Sequence, residues 1–151
     1  MKGKKQVFNL YVRDGVAYLP VTARTTAGYY LDVDPVVTLD PPDAASLEAA
    51  LRRVMTAGNP ERPTPSRASF PAPVVLAPAG VKSWGTFVKR AANFSIVLRD
   101  AEVEINESGP ALDGDWTEGR MDRLACPPEE AARAIAIHVL TRIAARDDIR
   151  A

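Results

Sequence analysis

The sequence predicts a single α+β domain, an antiparallel β meander packed by two main helices and one shorter helix. Three observations carry that prediction. The N-terminal third alternates apolar and polar residues with period two around an Asp-Gly turn. Two later segments repeat their apolar residues at helical spacing. The length of 151 residues suits one domain, spanning 1–151, which can bury a core without disulfide or metal staples.

In chain order, Gln6 to Arg13 places Phe8, Leu10 and Val12 on one face and Asn9, Tyr11 and Arg13 on the other, the pattern of a half-buried strand. Asp14-Gly15 then supplies the two positive-φ positions of a type I′ hairpin. The next strand, Val16 to Thr25, contains Pro20, which lacks an N–H and so marks an edge or a bulge. After Ala27-Gly28, Tyr29 to Leu39 forms a third strand in which Pro35 marks a bulge.

Asp43 is placed to cap a helix in which Leu47, Leu51, Val54 and Met55 share one face, and Gly58-Asn59-Pro60 ends it. Residues 60–78 hold six of the thirteen prolines and read as an extended crossover, with Val74-Val75-Leu76 as a short buried strand. Ser83 caps a short helix to Ala92. Phe94–Leu98 and Glu102–Asn106 form a second hairpin, Glu107–Gly119 a loop, and Arg120–Leu124 a further strand. Pro127-Pro128-Glu129-Glu130 opens the last helix, with a stripe of Ile135, Ala136, Val139, Leu140 and Ile143. Residues 1–5 and 147–151 are expected to be flexible.

Nineteen basic residues balance nineteen acidic ones, which speaks against a protein that coats DNA or a membrane surface. The basic start, Met1-Lys2-Gly3-Lys4-Lys5, is not followed by the apolar run of a signal peptide. The single cysteine, Cys126, fits a reducing compartment. A cytoplasmic, bacterial-type protein is the expectation.

The charges are segregated. Residues 52–90 carry seven cations against Glu61, whereas residues 100–122 carry eight carboxylates against Arg120. The two blocks either neutralise each other in the fold, which is the leading expectation, or form two separate poles.

Catalytic signatures are weak. Gly80-Val81-Lys82-Ser83-Trp84-Gly85-Thr86 has the context of a phosphate loop but lacks the lysine after Gly85. His138, the lone histidine, has Ala134 and Arg142 one turn away, neither of which orients a ring by accepting a hydrogen bond, and it reads as a solvated or rim residue. Cys126 precedes a helix N-terminus but reads as a small buried hydrophobe. Asp32 and Asp34 stand side by side on one strand, as exposed alternating acids do. Asp113-Gly114-Asp115 with Glu118 lacks the spacing of a calcium loop. Neither a catalytic residue, a cofactor nor a metal is assigned.

The leading function is therefore a non-enzymatic protein-binding module, in its most concrete form an immunity- or antitoxin-like protein that neutralises a basic effector. The partner surface would comprise Asp100, Glu102, Glu104, Glu107, Asp113, Asp115, Trp116 and Glu118. A nucleic-acid-associated regulator using the basic 52–90 segment is the alternative, with Trp84, Phe87 and Phe94 available for stacking. A small enzyme without a familiar motif ranks third.

Overall fold

The structure, a computed structural model, describes residues 5–110 and 118–150. The strands are β1 (Gln6–Arg13), β2 (Val16–Thr25), β3 (Tyr30–Leu39), β4 (Glu61–Arg62), β5 (Ala91–Leu98), β6 (Glu102–Ser108) and β7 (Glu118–Ala125). They form one sheet in the order β3-β2-β1-β5-β6-β7, antiparallel at every step, with β4 adding parallel to β2. Two three-stranded meanders are thus joined edge to edge along β1 and β5, which pair from Gln6↔Leu98 to Arg13↔Ala91.

Local chemistry explains the first meander. Asp14 and Gly15 take φ of 51° and 77°, as a type I′ turn demands. The β2–β3 register shifts between Pro20 and Val21, where Asp34 and Pro35 bulge from β3. β1 and β2 pair only at Tyr11–Arg13 with Val16–Tyr18 and then separate. The side chain of Asn59 fills the gap. Its Oδ1 accepts from Val7 N at 3.0 Å, and its Nδ2 donates to Val7 O at 2.7 Å and Thr22 O at 2.8 Å. One side-chain amide thereby satisfies backbone groups on both strands.

Two long helices cover one face of the sheet. α1 (Ala44–Ala57) starts at Asp43, which makes a reciprocal capping box with Ser46, and stops at Gly58. A single turn of 3₁₀ helix at Pro128–Glu130 leads into α4 (Ala131–Ala144). Between helices and sheet lies the main core, built on Phe8, Leu10, Leu19, Leu47, Leu51, Phe94, Ile96, Ile105, Ile135 and Val139. Among the described residues, no helix is long and apolar enough to cross a membrane.

The opposite, outer face carries a smaller core of Tyr11, Tyr18, Val75, Leu76, Phe87, Val88 and Ala91. Here the structure corrects the sequence reading. Val74-Val75-Leu76 is not a strand; Leu76 starts α2 (Leu76–Ala79), a single turn ended by Gly80 in the left-handed region. The helix capped by Ser83 is α3 (Trp84–Val88), and Ala91 and Ala92 already belong to β5. There are accordingly two short helices rather than one.

Glu61–Arg62, read as part of an extended crossover, adds to the sheet because Arg24 N donates to Pro60 O at 2.9 Å. The C-terminal tail is not loose either. Ile149 is fully buried in the main core, and its carbonyl accepts from Gly15 N at 2.7 Å.

Candidate functional site

Strand alternation sends every second residue of β1, β5 and β6 to the outer face. Pairing aligns them in a row: Thr22↔Asp32 on β2 and β3, then Asn9↔Ser95, Ser95↔Asn106 and Asn106↔Met121 across β1, β5, β6 and β7. A polar belt therefore crosses the sheet from β3 to β6, and the apolar Met121 on β7 closes the row. Asn9, Asp32, Ser95 and Asn106 are half-buried, whereas Met121 at the far end is exposed.

Hydrogen bonds fix the belt. Asp32 Oδ1 accepts from Asn9 Nδ2 at 2.9 Å and Thr22 Oγ1 at 3.2 Å, and Oδ2 accepts from Tyr11 Oη at 2.6 Å. Asn9 Oδ1 receives Asn93 Nδ2 at 3.5 Å, and Asn106 Nδ2 donates to Glu104 Oε2 at 3.3 Å. Burial, reinforced by the charge and hydrogen bond of Asp32, pushes the Tyr11 phenol well above its ordinary value. Tyr11 is therefore a fixed donor at physiological pH and is unsuited to act as a base.

At the β3 end the belt opens into a cleft of about 280 Å³, walled by Asn9, Tyr11, Tyr30 and Asp32 from the sheet and by Trp84 and residues 70–75 from the proline-rich arm. Trp84 stacks on Phe87 at 5.5 Å between ring centroids, and Tyr11 meets both rings edge-on. The indole is thus held in place from the α3 side. Phe70 remains 56% exposed at the rim.

In the described ion pairs of the acidic segment, Glu102, Glu104, Glu107 and Asp122 face arginines of β7 and of the C-terminal helix region rather than those of residues 52–90. Glu107 is 5% exposed and receives a bidentate contact from Arg142 (2.7 and 3.2 Å) and a bond from Arg146 at 2.9 Å. Burial alone would raise the Glu107 carboxyl, but the two guanidinium groups outweigh it and hold it below its usual value. Glu107 is a structural lock and offers no surface to a partner. Arg123 faces both Glu102 at 3.5 Å and Glu104 at 3.6 Å. In the basic block, Arg52 pairs with Glu48 and Arg90 with Asp14.

Of the other predicted surface residues, Asp100 and Glu102 are exposed and Glu104 is half-buried on the outer face. Glu118 opens β7. Asp113, Asp115 and Trp116 lie outside the described residues.

His138 is 17% exposed, and its Nε2 lies 3.1 Å from Asp122 Oδ2 on β7 without making a hydrogen bond. Asp122 sits below its usual value, chiefly through its bond from Arg120. Cys126 is partly buried beside the main core, and burial, then Glu130, raises its thiol. That is the reverse of activation. Asp32 is no exposed strand acid, whereas Asp34 is exposed in the bulge. Gly80 to Thr86 stops one short helix and starts another, with Ser83 Oγ capping Thr86 N at 3.1 Å.

Sequence reasoning missed Asn9, Asn93, Ser95 and Asn106. The available signal was the alternation itself, which puts asparagine and serine at outward positions of otherwise apolar strands.

The sheet and its two long helices define a single α+β domain of antiparallel double-meander type. This architecture is similar to that of a solved Neisseria meningitidis protein described as a protein of unknown function, NMB0488. The likeness has a TM-score of 0.62 at 14% identity, covering 92% of this chain and 95% of that one. At such identity the resemblance concerns the fold alone. No family model and no curated protein matches the chain.

Proposed function

We propose that this chain is a non-enzymatic protein-binding module whose contact surface is the outer face of the sheet. Its most concrete form is a cytoplasmic, immunity- or antitoxin-like protein that occludes a basic effector. The observation that carries the reading is the polar belt from Asp32 to Asn106. It spans five strands, is held at Asp32 and at Asn106 by hydrogen bonds, and ends in an aromatic-walled cleft. A pre-ordered surface of this breadth suits a macromolecular face, because side chains already fixed lose little entropy on binding. Asp32, Glu102 and Glu104 give it acidic character, partly offset by Arg123. Electrostatic complementarity then favours a basic partner.

The proposed surface overlaps the acidic segment at Glu102 and Glu104, leaves out the buried Glu107, and adds the belt. The decisive experiment is capture of partners from native-host lysate on the tagged chain, with mass spectrometry of what is retained. The expected result is one basic protein, retained by wild type and released by Asn106→Arg. Retention of nucleic acid alone, sensitive to reversal of Arg62 and Arg67, would transfer the function to the basic segment.

A further inference from the structure

The cleft at the β3 end of the belt has the chemistry of a receptor for a cation. Its lining combines Asp32 with the aromatic residues Tyr11, Tyr30, Trp84 and Phe70. A carboxylate offers about four lone-pair positions. Asn9 and Thr22 occupy two on Oδ1 and Tyr11 one on Oδ2, which leaves one acceptor position on Oδ2. All three protein contacts are donors from uncharged groups, so no cation of the chain's own is bonded to this carboxylate among its described hydrogen bonds. The cleft, at about 280 Å³, is at the small end of ligand sites, which run to roughly 300–1,000 Å³, and has room for one long side chain.

From this geometry we infer that the cleft is an anchor site for a single arginine side chain, whose guanidinium donates to Asp32 while its flat face lies against the aromatic walls. Arginine is favoured over lysine because the guanidinium is planar, weakly hydrated and stacks on rings, whereas an ammonium is a compact, strongly hydrated charge. Trp84 is held by Phe87 and Tyr11, so the wall is built before the ligand arrives.

This inference deepens the protein-binding reading and rests on it for biological meaning, since the arginine would belong to the basic partner. The site itself is testable without any partner. With Trp116→Phe as background, Trp84 is the one tryptophan, and its fluorescence reports the cleft. The probes are N-acetyl-arginine amide and its uncharged near-isostere, N-acetyl-citrulline amide. The arginine probe is expected to give a saturable response with a dissociation constant on the order of 10 mM or tighter. The citrulline probe, and the arginine probe with Asp32→Asn, should each bind at least about tenfold more weakly. Asp32→Asn keeps an acceptor for Asn9 and Thr22, and circular dichroism verifies its fold.

Equal binding of the two probes, no saturable response to the arginine probe, or full binding by Asp32→Asn would overturn the inference. Its failure is distinguishable from that of the function. A basic protein captured equally by wild type and Asp32→Asn would refute the arginine anchor and leave the module standing. A probe response without any captured protein would do the reverse.

Discussion

At the scale of single residues, burial and hydrogen-bond satisfaction decide which polar groups matter. Asn59 has the clearest structural role. Removing its amide in Asn59→Ala strands Val7 N, Val7 O and Thr22 O between separated strands. An unsatisfied buried polar group costs about 1–3 kcal/mol, so a destabilisation in that range is expected by denaturant titration, with faster hydrogen exchange at Val7.

Glu107 sets an acid limit. Its folded value lies below the ordinary 4.5, so it binds a proton less readily folded than unfolded. Its contribution is fully present above about 4.5 and is lost as pH falls through the lower folded value. Glu107→Gln should flatten the stability–pH curve in that acid window, and Glu107→Ala should cost about 3–5 kcal/mol at neutral pH. An unchanged acid limb in the Gln variant would show that other carboxylates, such as Asp122 or Asp148, govern it. None of these roles was legible in the sequence, because each partner lies 35 or more residues away. His138 shows the same blindness. A helical wheel displays Ala134 and Arg142 but not Asp122 on a neighbouring strand.

Elements were read better where their signals are local. The Asp14-Gly15 turn, the Asp43 cap, the Pro20 bulge and the stripe of α4 rest on residues close in sequence, and the structure contains each of them. The outcome was poorer where tertiary contact overrides propensity. Leu76 is buried whether its segment is strand or helix, and an apolar run of three residues does not distinguish them. Ala91 and Ala92 are good helix formers, yet their pairing with Arg13 and Val12 places them in β5. The charged tail concealed Ile149, whose burial becomes apparent only once Gly15 is brought beside it.

Two expectations belong at this scale. Leu51→Ala in α1 should cost about 2–5 kcal/mol, since its side chain is 1% exposed in the main core. Ile149→Ala should cost a comparable amount, about 2–5 kcal/mol in chemical denaturation. A loss below about 1 kcal/mol for Ile149→Ala would mean that the tail contributes little to the core.

For the whole molecule, the sheet separates two tasks. The helix face supplies the main hydrophobic core, while the outer face divides its strand positions between a smaller aromatic core under α2 and α3 and a row of asparagine, serine and carboxylates. Nothing in the linear charge pattern foretold this division, since the acidic block sends Glu107 to the helices and Glu104 to the belt. Strand register, not charge count, decides which acids face outward.

The most direct test of the belt as the contact surface measures association of the captured partner with Ser95→Arg/Asn106→Arg and with Arg62→Glu/Arg67→Glu, at low and high salt. The first variant places bulk and positive charge at the centre of the belt; the second reverses the basic arm. With both variants folded by circular dichroism, Ser95→Arg/Asn106→Arg should lose at least about 30-fold in affinity, the loss of a central hot spot. The wild-type association rate should fall as salt screens the acidic face. Full affinity in the belt variant, with binding abolished by Arg62→Glu/Arg67→Glu, would contradict the assignment.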